Sequence, residues 1–152
     1  METPTPFFSW QQEYCVGNEA IDHQHEHLVE LVSKLYESVM ARESKQVRPE
    51  RLKALFDCAK SHFSSEEQLL RMHQYPKYLV HKAAHEGLAF ALSGLREEVV
   101  AGERELSAEY VELIKLWLID HFSEFDRAYQ SSLRDVKANP EKEPATKTAT
   151  EQ

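Results

Sequence analysis

The chain has 152 residues, a formal net charge of -8, 41% hydrophobic and 29% charged residues, and only four glycines. That length suits one domain with a proper core, and the scarcity of glycine disfavours a turn-rich all-β fold. The acidic balance, with no Lys/Arg cluster, argues against nucleic acid and an anionic membrane as partners, since both would repel the chain.

No apolar run approaches the roughly 18 residues that span a bilayer, and the opening Met-Glu-Thr-Pro-Thr-Pro lacks the basic and apolar regions of a secretory signal. The expected location is the cytoplasm. Cys15 and Cys58 stand far apart and in no paired spacing, so they read as reduced, partly buried thiols.

In chain order, residues 1 to about 17 come first, with Phe7, Phe8, Trp10 and Tyr14 among Pro4, Pro6 and Gly17: too irregular for a helix, too aromatic for a free tail. An arm packed on the domain is expected. Four stretches with apolar residues at helical spacing follow, separated at Arg42 to Pro49, Gln74 to Pro76 and Ala101 to Ser107. They predict four helices of roughly 25 residues. Pro49 and Pro76 suit first-turn positions, Gly102 a helix C-terminus and Ser107 an N-cap, while Asn139-Pro140 ends the last helix. Short connections imply antiparallel neighbours, so the expected fold is all-α, an up-down-up-down four-helix bundle over residues 1–137. Residues 138–152, rich in Pro, Glu, Lys and Thr, read as a disordered tail.

The core stripes contain what a plain bundle lacks. The first runs His25, Leu28, Val32, Leu35, Val39; the second Leu52, Leu55, Ala59, His62, Glu66, Leu69. The third runs Tyr78, His81, His85, Leu88, Leu92, Leu95, Val99, and the fourth Tyr110, Ile114, Trp117, His121, Phe125. Every helix thus turns imidazole inward. Counting from a turn near residue 45, His25 lies about 20 residues before it and the His62/Glu66 pair about 19 after. Similar counts around Tyr75 and residue 104 bring His81, His85 and His121 to the same level.

Five imidazoles and a carboxylate buried in one layer would cost several kcal/mol per unsatisfied group without a partner, and a metal supplies one. The i,i+4 pairs His62/Glu66 and His81/His85 stack two ligands on one helix face, as chelation by a helix requires. So many ligands exceed what one ion uses, which points to two ions sharing a carboxylate; iron, manganese, zinc and copper all suit this donor set. Asp126 is five residues past His121, a step of about 140° on an α-helix, so geometry alone leaves it either a ligand reaching in from the flank or an exposed carboxylate. His23 and His27 share a face with Glu30 and Lys34 and read as solvated, and His73 lies about 10 Å beyond Glu66 along its helix.

With these residues in place the chain resembles the hemerythrin family. The resemblance rests on Trp10, Tyr14 and Gly17, on Ile21-Asp22-His23-Gln24-His25, on His62-Phe63-Ser64-Ser65-Glu66-Glu67, on Tyr75-Pro76 with His81 and His85, and on Trp117-Leu118-Ile119-Asp120-His121 with Asp126 and Tyr129. It implies two iron ions cycling between ferrous and ferric, one held by His81, His85 and His121, the other by His25 and His62. Glu66, Asp126 and an oxo or hydroxo group from solvent would bridge them. It also implies that dioxygen binds reversibly at the iron with fewer histidines, walled by Leu28, Phe63, Trp117 and Leu118, for oxygen storage, delivery or supply. Histidine-rich ligation favours such a carrier over an oxidase, peroxidase or nitric-oxide-handling enzyme. A sensor role would require a separate protein partner, since no signalling domain is attached.

Overall fold

The computed structural model describes residues 5–43, 46–126 and 128–130; the side chain of Phe125 and the tail expected at 138–152 lie outside the described residues. Four helices form an antiparallel bundle: α1 (Glu19–Met40), α2 (Val47–Met72), α3 (Tyr78–Val100) and α4 (Ala108–Asp120). The last continues directly into a π turn, His121–Asp126. α1 packs on α2 and α4, and α2 packs on α3. No helix among the described residues is long and apolar enough to cross a membrane.

The helix ends follow from local chemistry. Asn18 caps α1, its side-chain oxygen accepting from Ile21 N at 3.1 Å, and Ser107 caps α4 by accepting from Tyr110 N. Three helices end in one device: a left-handed residue follows the helix, Arg42 (φ 52°), Gln74 (φ 52°) and Gly102 (φ 76°). The next N–H then reaches back five residues, from Glu43 to Ser38 O, Tyr75 to Leu70 O and Glu103 to Glu98 O, each at 3.0–3.1 Å. Pro49 sits in the first turn of α2 as expected, whereas Pro76 lies in the turn before α3, not inside it.

The core is built on Leu28, Val32 and Leu35 of α1, Leu52, Leu55 and Ala59 of α2, Leu92 and Leu95 of α3, and Val111, Ile114 and Leu118 of α4. Some stripe positions shift by one residue: Leu70 is buried where Leu69 was expected, and Val111 and Leu118 are buried where Tyr110 and Trp117 were expected, these being only half-buried. On α4 the buried face runs Val111, Ile114, Leu118 and His121, a spacing as helical as the expected one but turned slightly around the axis. The N-terminal arm packs as anticipated. Phe8 is buried and its backbone exchanges two hydrogen bonds with Ser33 Oγ, 3.1 and 2.8 Å. Phe7 stacks on Tyr36 at 3.8 Å, and Lys115 of α4 donates to Phe7 O at 2.7 Å, so the arm ties α1 to α4.

Candidate metal centre

All seven predicted ligands meet at mid-bundle, and each is at most 2% exposed. α1 supplies His25, α2 supplies His62 and Glu66 one turn apart, α3 supplies His81 and His85 one turn apart, and the π turn supplies His121 at its start and Asp126 at its end. A π turn closes on i+5 instead of i+4. The five-residue step that would splay His121 and Asp126 on an α-helix therefore brings them together, with Asp126 Oδ1 3.1 Å from His121 Nε2.

The donors sort into two groups that share both carboxylates: Glu66, His81, His85, His121 and Asp126 form one, and His25, His62, Glu66 and Asp126 the other. The oxygens divide the same way. Glu66 Oε1 lies 2.5, 2.9 and 3.5 Å from Nε2 of His81, His85 and His121, while its Oε2 lies 3.4 Å from both His25 and His62. Asp126 turns Oδ1 to His81 and His121, at 3.2 and 3.1 Å, and Oδ2 to His25, at 3.0 Å.

These contacts suit cations better than they suit one another. His25 and His62 approach Nε2 to Nε2 at 3.0 Å, and His85 and His121 at 3.2 Å. Two ligands at right angles on an ion, each at about 2.1 Å, lie about 3 Å apart. Both Asp126 oxygens are fully buried and make no hydrogen bond of acceptable geometry among the described residues, despite the imidazole nitrogens around them. Ring nitrogens and carboxylate oxygens converge on shared points in place of pairing along donor–acceptor lines. The donor set fits two ions of the borderline class to which iron belongs.

Electrostatics tells the same story in protons. Burial pulls His25 down, but Asp126 and Glu66 outweigh it and raise the ring to about 9. His121 is raised to about 10, burial again opposing and Asp126 prevailing. His62, where desolvation wins, falls to about 3. Glu66 stays well below the usual carboxylate range although burial alone would lift it, because His121, His25, His81 and His85 bond to it. Without metal, the two buried carboxylates hold protons on neighbouring imidazoles; metal ions would displace them.

A surrounding layer orients the donors. Gln24 Oε1 accepts from His62 Nδ1–H at 2.9 Å, leaving the Nε2 lone pair to face the cluster. Tyr129 Oη donates to Glu66 Oε2 at 2.8 Å. Phe63 stacks on His85 at 4.2 Å, and Phe122 lies 4.3 Å from His25 with Tyr14 of the arm behind it. Of the expected pocket walls, Leu28, Phe63 and Leu118 are buried and Trp117 is half-buried. Phe122 was missed; its position next to His121 was the available signal. His23 and His27 are exposed and His73 caps the end of α2, so none of the three joins the cluster.

Comparison with known proteins agrees with this geometry. Residues 16–131 match the family model of the hemerythrin HHE cation binding domain. The chain is 30% identical over 125 residues to a bacteriohemerythrin of Pseudomonas aeruginosa, covering 82% of this chain and 80% of the relative. It is 28% identical over 130 residues to a hemerythrin-like protein of Naegleria gruberi, covering 86% and 96%. A wild-type hemerythrin crystal structure superposes with a TM-score of 0.79 at 27% identity, covering 84% of this chain and 98% of that one.

Proposed function

The chain belongs to the hemerythrin family, and on that footing we propose that it holds two iron ions and binds dioxygen reversibly in the cytoplasm, as a carrier or local store and not as an enzyme. His81, His85 and His121 would hold one ion and His25 and His62 the other, with Glu66, Asp126 and a solvent-derived oxo or hydroxo group between them. The observation that carries this reading is the division of each carboxylate, one oxygen toward the three-histidine group and the other toward the two-histidine group. Bound there, the iron pair would supply the electrons that oxygen borrows on binding and returns on release.

The protein's own part is to orient donors and exclude water. Gln24 and Tyr129 set the orientation of His62 and Glu66. Leu28, Phe63, Leu118 and Phe122 leave the cluster in a dry wall, and dryness matters because water or acid at the site converts bound oxygen into a dead-end oxidation. The two-histidine group has one protein donor fewer than the other, so it is the side with room for oxygen.

The test is to load the protein with ferrous iron anaerobically, admit oxygen and then withdraw it, following the visible spectrum. Colour that appears and disappears over repeated cycles is expected. Rapid, irreversible conversion to the ferric form with turnover of an added reductant would replace the carrier with an oxidase, and retention of zinc alone would overturn the assignment of iron.

A further inference from the structure

α3 is apolar on the side that faces away from the bundle. Leu79, Val80, Ala83, Gly87, Phe90 and Gly94 fall within about 100° of arc, on the side turned from the core-facing His81, His85, Leu92 and Leu95. Phe90 is 83% exposed and Leu79 76%. From Tyr78 to Leu95 the only Lys, Arg, Asp or Glu residues are Lys82 and Glu86. The outer faces of the helices before it are ordinary by contrast, with Glu30, Lys34 and Glu37 exposed on α1 and Lys53, Asp57 and Lys60 on α2. A helix apolar on all sides is normally covered, and a contiguous exposed apolar face marks a contact surface.

The glycines add a separate observation. Gly87 and Gly94 lie inside α3, where glycine weakens a helix, yet a Cβ at either would meet nothing within 4 Å. Nothing within the described chain calls for their missing side chains. A second helix packed closely on this face does.

We propose that the outer face of α3 is the interface of a homodimer, two copies of α3 crossing antiparallel about a two-fold axis level with residues 88–89. In that register Phe90 of each copy lies over Gly87 of the other, and Gly94 lies opposite Ala83, so large side chains meet the gaps that small ones leave. Charge selects the same arrangement. The chain carries a net charge of -8, so copies repel unless the seam is neutral and its flanking charges alternate. Glu97, five full turns from Leu79, lies at the same edge of the stripe as Leu79, and Lys82 lies about 60° farther out on that side, both exposed. With the axis at residues 88–89, Lys82 of one copy lies two residues, about 3 Å, from level with Glu97 of the other, twice, within reach of the two side chains. A parallel pair in register would instead set Phe90 on Phe90 and put the Lys82 and Glu97 side chains of the two copies on opposite sides of the seam, with no ion pair across it. Such a patch, self-complementary under rotation, closes at two copies and does not propagate into a fibre.

Sedimentation equilibrium on the full iron-loaded chain tests this. A monomer–dimer equilibrium is expected, weakened more than about tenfold by Phe90→Lys, the central apolar anchor. Gly87→Leu should weaken it as well while leaving helix content and melting temperature unchanged or raised, because the added side chain has open space in the monomer. Lys82→Glu and Glu97→Lys should each weaken the dimer and the double exchange restore it. The proposal is overturned by a wild-type protein that stays monomeric at every concentration, by a dimer that both Phe90→Lys and Gly87→Leu leave intact, or by a monomer that instead co-sediments with zwitterionic lipid vesicles.

Discussion

Among the described side chains Glu66 touches most of the cluster, lying within 3.5 Å of Nε2 on all five of its histidines and accepting a further bond from Tyr129. Glu66→Ala should therefore lose most of the bound iron, measured as iron per chain after desalting, whereas His73→Ala should retain it. Proton linkage follows from the raised imidazoles. In the metal-free protein His25 and His121 titrate at about 9 and about 10, against about 6.5 in the unfolded chain. Their contribution to stability is thus complete below pH 6.5 and disappears as pH rises through about 9 to 10. Below that window metal must displace those protons, so loading at pH 7 should release acid and apparent metal affinity should climb with pH up to it. A pH indicator in weakly buffered solution reads this directly. Absence of proton release at pH 7 would show that the imidazoles are neutral before metal arrives.

At the scale of single elements, the π turn decides whether the last helix can serve the cluster. An uninterrupted α-helix would place Asp126 about 140° around from His121; widening the turn to close on i+5 brings both to one face and carries Tyr129, on the next turn, to Glu66. Inserting one alanine after the exposed Ser123 should advance the phase by about 100° and rotate Asp126 and Tyr129 out of the cluster. Far-ultraviolet circular dichroism should then stay helical while iron content falls sharply. The end of α2 offers a test in the opposite direction. Gln74 holds φ 52°, a conformation that costs a side-chain-bearing residue about 1 kcal/mol or more. Gln74→Gly should stabilise the protein by about 1 kcal/mol in urea unfolding.

Across the whole molecule, the arm joins the fold to the chemistry. Phe8 binds Ser33 through two backbone hydrogen bonds, Phe7 is held between Tyr36 and Lys115, and Tyr14 backs Phe122 against His25. Trp10 completes this side, 6.4 Å from the His25 ring. The arm is therefore both part of the core and a cover over the two-histidine side of the cluster. Phe8→Ala should cost about 3 to 5 kcal/mol of stability by opening a cavity. It should also hasten the conversion of oxygen-loaded protein to the ferric form, followed as loss of reversible colour, because water gains a route to the site. A variant as stable and as slow to oxidise as the parent would reduce the arm to a loose appendage.

What could be read from sequence alone was what helical repetition controls. Apolar spacing marked four helices, i,i+4 steps set His62 with Glu66 and His81 with His85, and counting rise per residue from the turns put His25 and His121 at the same height. Those are properties of one helix or of two joined by a short turn, and they survive folding because the backbone hydrogen bonds that make them are local. Geometry left Asp126 open and only the family resemblance put it among the ligands, while Phe122, Gln24 and Tyr129 received no roles, because each depends on contacts between distant segments. A π turn is unfavourable in isolation and is held here by what it assembles: a carboxylate brought among the imidazoles of His25, His81 and His121. The tertiary structure alone could decide it, since the free energy that bends the last helix comes from groups on the other three.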